Sequence, residues 1–256
     1  MVQILHIAAE CYPAAKAGGL ADVVGSLPKY MNNAGVPSAA ILPKYGLKWF
    51  QTRRWETIFV GAVRLDWRHV GYSIQRLESD ELGFALYAVD IPGLFDRPGI
   101  YNDAPSGMAY GDEVERYLAF QQAVLQWVLS MPDTDRPRVL HCHDHHTALI
   151  PFMVRYCPEY KPLSEIPTIF TIHNGQYQGR FSWNKVYLLP FFDSWGRGVL
   201  DWGGVINPMA AAVKCAWAVT TVSRSYLFEL HENSMGLEPL FRSEWAKQHG
   251  ILNGID

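Results

Sequence analysis

The chain has 256 residues, 49% of them hydrophobic and 18% charged, so a sizeable core is within reach and disorder is excluded as its general state. Formal net charge is -3, which gives no electrostatic case for nucleic acid or an anionic membrane as partner. Four widely and irregularly spaced cysteines (Cys11, Cys142, Cys157, Cys215) read as reduced thiols of a cytoplasmic protein rather than a disulfide frame.

The opening run "MVQILHIAAECYP" has no basic region before it. Val2 to Ala9 therefore reads as a buried first strand, not a signal peptide. No apolar stretch approaches the roughly 18 residues of a membrane span. Leu20, Val23, Val24, Leu27, Tyr30 and Met31 recur at helical spacing, which predicts a helix over 20–33 with Gly35 at the stop position. "SAAILP" is the next strand. This β-loop-α-β start is typical of an α/β nucleotide-binding layer.

Residues 57 to 90 hold three strand-like runs, "TIFVGAVRLDW", "HVGYSIQRLES" and "FALYAVD", read as inserted β-hairpins. "IPGLFDRPGIYNDAPSG" is a long loop of the kind that is often functional. Asp112 to Ser130 reads as an amphipathic helix. Strand and helix then alternate: "RVLHCH" and "HTALIPFMVRY", "PTIFTIH" and "NPMAAAVKCAW", "AVTTVS" and "SRSYLFELHEN". The expected fold is α/β, one Rossmann-like, doubly wound parallel sheet spanning 1–256 with inserted hairpins. "GILNGID" reads as a turn leading elsewhere.

Three segments carry candidate chemistry. "KAGGLADV" joins the first strand to the first helix. A helix N-terminus there presents N–H groups and partial positive charge, and Gly18 and Gly19 permit close approach of an anion such as a diphosphate. Lys16 adds a mobile cation. A flexible turn with a solvated lysine is the alternative. The loop matches neither the dinucleotide fingerprint nor the P-loop.

"HCHDHH" spans 141 to 146. His141 and His143 alternate along a strand and share a face. His145 and His146 are adjacent and diverge by roughly 100° on a helix, so the H-E-x-x-H zinc pattern does not fit. Asp144, at the strand's carboxyl end, is either a helix N-cap or an acceptor for substrate hydroxyls. "TIHNGQYQG" ends another strand at His173. Asn174 follows, and Gly175 and Gly179 are read as leaving room for a ligand. His173 is either a core histidine or, with Asn174, a partner for sugar hydroxyls.

The ordered set "ECYPAAKAGGLADVVGSLPK", "HCHDHHTALIP", "TIHNGQYQG", "AVTTVS" and "LNGID" resembles the N-terminal half of the bacterial glycogen synthase and plant starch synthase family. The resemblance covers essentially the whole chain. It implies one half of a GT-B glycosyltransferase, the acceptor-side catalytic domain, with the C-terminal nucleotide-binding domain absent. It implies retaining transfer of glucose from ADP-glucose, or UDP-glucose in some members, to the non-reducing end of an α-1,4-glucan, without metal or other cofactor.

By motif position the resemblance gives each residue a role. Lys16, Gly18 and Gly19 would approach the donor diphosphate, and Asp22 would order that loop. Asp144 and His173 would contact the transferred glucose, with His173 near the reacting centre and Asn174 beside it. Tyr101 would lie near the nucleotide base, and Asn253 would reach the donor from the interdomain edge. His145 stands where the family usually has Trp. With half of the cleft missing, the chain is expected to transfer no glucose alone; elongation of glycogen from radiolabelled donor would overturn this. A non-catalytic glucan-binding module and a histidine-rich metallohydrolase are the alternatives, separable by calorimetry with maltooligosaccharides and by elemental analysis.

Overall fold

The computed structural model describes residues 2–103 and 105–254. By its contacts the chain divides into two compact units, Met1–Arg138 and Val139–Asp256.

The first unit runs β1 (Ile4–Ile7), α1 (Gly19–Asn33), β2 (Ser38–Pro43), α2 (Lys48–Gln51), β3 (Trp55–Leu65), β4 (Arg68–Leu77), β5 (Ala85–Asp90) and α3 (Glu113–Ser130). β2 lies between β1 and β5, parallel to both. β5 pairs antiparallel with β4, and β4 with β3. The expected hairpins are therefore β3–β4 and β4–β5, and β5 also joins the parallel layer through β2. β2 is buried at every position, as a parallel strand covered on both faces must be. Each fully buried Leu, Ile or Phe contributes about 1.5–3 kcal/mol.

α1 buries Leu20, Ala21 and Val24. It ends as expected at Gly35, whose φ of 81° is strained for residues with a Cβ. The Gly35 N–H returns to Asn32 O at 3.0 Å and that of Val36 to Met31 O at 2.9 Å, which satisfies two terminal carbonyls.

His6, in β1, is buried, and burial pulls its imidazole pKa from 6.5 down to about 4. The unfolded chain takes up this proton near pH 6.5; the folded chain resists until about pH 4. Stability should therefore be full above that window and fall as pH drops through it, by on the order of 2 kcal/mol at pH 5. Urea titrations at pH 7 and pH 5 should show a smaller drop for His6→Gln. An equal drop in both chains would remove His6 as the cause.

The second unit runs β6 (Val139–His143), α4 (Ile150–Tyr156), β7 (Thr168–Ile172), α5 (Arg197–Leu200), β8 (Asp201–Trp202), β9 (Val205–Ile206), α6 (Pro208–Cys215), β10 (Ala218–Thr221), α7 (Arg224–Glu232), α8 (Glu238–Ser243) and β11 (Gln248–Gly250). Its sheet is parallel, in the order β6-β7-β10-β11. All four carboxyl ends thus point the same way. β8 and β9 form a small antiparallel pair.

Helix starts follow side-chain chemistry. Asn207 caps α6 by accepting from the Ala210 N–H, with Pro208 at the first helical position, and Ser223 caps α7 by accepting from Tyr226. The helix expected over 146–156 begins only at Ile150. A 3-10 turn at His145–Thr147 comes first. The Thr147 hydroxyl donates to His143 O at 2.9 Å and Asp144 O at 3.2 Å, a local bond that competes with helix geometry. All four cysteines are free and buried, and burial pushes the Cys157 and Cys215 thiols up to about 12.

Candidate active site

In the first unit the glycine loop enters α1. Gly18 and Gly19 have no packing reason to be glycine, because a Cβ at either position would meet nothing within 4 Å. Gly18 also has an ordinary extended φ of -143°. The loop is bare where a ligand would approach. Lys16 Nζ pairs with Asp22 at 2.6 and 2.8 Å, with both side chains about half exposed (47% and 53%). An exposed pair of this kind is worth about 1 kcal/mol or less, so an incoming phosphate competes easily for Lys16.

The residue that organises this loop is Glu10, which sequence reasoning missed. It is 3% exposed. Its Oε2 accepts from the Ala17 N–H at 2.5 Å and the Gly18 N–H at 2.8 Å. Its Oε1 accepts from the Tyr101 hydroxyl at 2.6 Å. Glu10 lies just beyond β1, at a strand's carboxyl end, and that position was the available signal.

Further bonds hold both sides of this junction. Tyr45 donates to Ala9 O at 2.8 Å and lies 3.1 Å from the Tyr117 hydroxyl; burial raises the Tyr45 phenol well above its ordinary range. Arg116, fully buried, donates to Leu94 O at 2.8 Å and Ile100 O at 3.1 Å. Arg97 clamps Asp112 at 2.8 and 2.5 Å. Tyr101 is thus fixed within its long loop. Lys16, Gly18, Gly19, Asp22 and Tyr101 form one connected group.

In the second unit β6 and β7 are neighbours, with His143 opposite Thr171. Asp144 and His173 therefore lie at adjacent carboxyl ends, as the sequence reading required. Asp144 does not cap a helix with its side chain. Instead its Oδ1 accepts from the His173 N–H at 2.8 Å and the Asn174 N–H at 3.4 Å, so it clamps the neighbouring strand's loop. Its backbone sits at φ 56° and ψ 179°, a region occupied essentially by glycine and costing of order 1–3 kcal/mol. Such strain is retained where surrounding structure fixes it, and it marks functional sites.

The cluster's first two histidines lie side by side, as expected, with ring centroids 4.3 Å apart. His141 Nε2 meets Thr171 Oγ1 at 2.6 Å, and that hydroxyl meets Thr220 Oγ1 at 2.6 Å. His143 Nδ1 meets His173 Nε2 at 3.0 Å. Asn174 Oδ1 accepts from the Gln176 N–H at 3.0 Å, which shapes the turn. The exposed Asn253 follows β11, and its N–H donates to Val222 O at 3.2 Å, near the carboxyl end of β10.

The two glycines of "TIHNGQYQG" are a correction. A Cβ on Gly175 would meet Leu230 Cδ2 at 2.4 Å, and one on Gly179 would meet His145 Cδ2 at 2.9 Å. Gly179 also has a φ of 69°. Gly175 clears space for Leu230, and Gly179 clears space for His145 and meets a turn's demand for positive φ. His145 fills the space beside Gly179, with its ring 6.5 Å from that of Tyr177.

Residues 3–243 match the family model described as starch synthase catalytic domain. The chain belongs to the starch synthase catalytic domain family. It is 47% identical over 255 residues to a glycogen synthase of Flavobacterium johnsoniae, covering 100% of this chain and 52% of that protein. It is 35% identical to a glycogen synthase of Clostridioides difficile, covering 100% of this chain and 53% of that one. Among solved structures, the catalytic domain of starch synthase IV from Arabidopsis thaliana, bound to ADP and acarbose, superposes with a TM-score of 0.86 at 28% identity. That match covers 100% of this chain and 52% of the other. The chain thus spans about half the length of these starch synthase family relatives. The mixed α/β, mostly parallel fold is that of one half of a GT-B glycosyltransferase.

Proposed function

We propose that this chain is the acceptor-side half of a glycosyltransferase that moves glucose from ADP-glucose to the non-reducing end of an α-1,4-glucan, with retention and without metal or other cofactor. The observation that carries the reading is the bare glycine pair of a loop held by Glu10. Departure of ADP builds negative charge on a phosphate oxygen. Lys16 and the N–H groups at the start of α1 are suited to stabilise that charge. The glucosyl carbon becomes electron-poor as its bond to phosphate breaks. The 4-hydroxyl of the glucan then bonds to that carbon, and its proton passes to the departing diphosphate. Asp144 uses one oxygen as a clamp and offers the other to a sugar hydroxyl; His173 and Asn174 stand beside it. Tyr101 and Asn253 would border the donor. Relatives named as glycogen synthases and the ADP- and acarbose-bound starch synthase support these choices.

A cytoplasmic location accords with four buried free thiols, and no described helix is long and apolar enough to cross a membrane. The transfer needs the partner half of the cleft, so this chain alone is expected to leave radiolabelled ADP-glucose unincorporated.

The test separates binding from folding. ADP should shift the amide resonances of Gly19 and Leu20. Gly18→Ala should weaken that binding at least tenfold while leaving the melting temperature within about a degree, since the added methyl meets no neighbour. Unchanged ADP affinity in this variant would sink the reading.

A further inference from the structure

We infer that His143 is a positioning residue for His173: through its Nδ1 it fixes the ring orientation and the tautomer with which His173 meets a substrate. The inference rests on the proposed role of His173 at the reacting sugar and extends it to a residue that touches no ligand.

The geometry is specific. His143 is fully buried in the last position of β6. Its Nδ1 lies 3.0 Å from His173 Nε2. Two ring nitrogens at that separation share one proton when both rings are neutral. One nitrogen donates and the other accepts, so each ring's tautomer is tied to the other's.

His143 is itself held. Its ring stacks on His141 at 4.3 Å and 20°. His141 is anchored at 2.6 Å to Thr171, and Thr171 at 2.6 Å to Thr220. Three adjacent strands, β6, β7 and β10, thus supply a rigid polar platform under one imidazole.

The backbone of His173 is held separately, by Asp144 Oδ1 at 2.8 Å. Main chain and ring of His173 therefore have different keepers, and one can be removed without the other. Support of this kind decides whether a side chain is aligned to within a fraction of an ångström.

Three side chains at position 143 test the inference in this same chain. Long-range proton–nitrogen spectra of the imidazoles, with His173→Gln to assign the signals, read tautomers directly. In the native chain the two ring nitrogens of His173 should give well-separated protonated and unprotonated signals. His143→Phe keeps a flat ring on His141 but has no nitrogen; the His173 signals should collapse toward their average. His143→Asn places an amide where Nδ1 was, and the separation should return. The His173 backbone amide should stay protected in both variants, which excludes unfolding as the cause.

Averaged signals in the native chain, or unchanged separation in His143→Phe, would overturn the inference. Addition of maltooligosaccharide and ADP is a distinct arm. If the tautomer follows residue 143 but no sugar or nucleotide perturbs His173, the positioning stands and the proposed function falls.

Discussion

Replacing Glu10 with alanine is expected to cost about 2 to 4 kcal/mol of folding stability and to free the loop that enters α1. Glu10 is 3% exposed, and its carboxylate accepts from two backbone N–H groups and one phenol. Bonds to a charged acceptor are worth about 1.5–3 kcal/mol each, and alanine leaves all three donors without it. Water reaches the exposed loop and returns part of that loss. Glu10→Gln keeps one acceptor oxygen and should lose about half as much. Urea unfolding gives the magnitude, and amide exchange gives the place. Ala17 and Gly18 should exchange much faster in the alanine variant while Ile41 in β2 stays protected. Equal protection of Ala17 and Gly18 in native and alanine chains would show that Glu10 does not hold the loop.

Asp144 should give a different ordering, because its side chain and its backbone make opposite demands. Asp144→Ala removes the acceptor for the His173 and Asn174 N–H groups and keeps a Cβ at φ 56° and ψ 179°. A loss of about 2 to 3 kcal/mol is expected. Asp144→Gly removes the same acceptor but suits the backbone, so it should be more stable than the alanine variant by about 1 kcal/mol or more. Asp144→Asn keeps an acceptor oxygen and should lose least. Under the proposed function, alanine and glycine both lose sugar contact despite their different stabilities. A glycine variant no more stable than alanine would mean that the backbone is not strained there.

Much of the scaffold was legible in the sequence because its signals are local. "SAAILP" is β2 to the residue, and the helical spacing from Leu20 ends at Asn33 with Gly35 beyond it. Elements without a local signal were missed. β11 is "QHG", which carries no apolar run and is a strand only because β10 pairs with it. The start of α4 was misplaced because Thr147 bonds back to the strand end.

The candidate site divides in the same way. Strand-end position was enough to single out Asp144 and His173. It did not reveal that Asp144 grips the neighbouring loop, since that bond joins residues about 30 apart in the chain. Glu10 was passed over because an acidic residue in a loop carries no mark of burial. Gly175 and Gly179 were misread for a related reason. A glycine that clears space for a ligand and one that clears space for Leu230 look alike until the fold is known.

The contact at Gly175 also changes where loss of ligand binding should be sought. Leu230 fills the space over that glycine, and the Tyr226 hydroxyl accepts its N–H at 2.9 Å. Both side chains belong to α7, which supplies none of the proposed ligand contacts. A random-mutagenesis screen for weakened glucan binding should therefore return α7 variants among its hits. Tyr226→Phe, which deletes only the hydroxyl that accepts from Gly175, should be such a hit in a folded protein, with its defect in the shape of the Asn174–Gly179 turn.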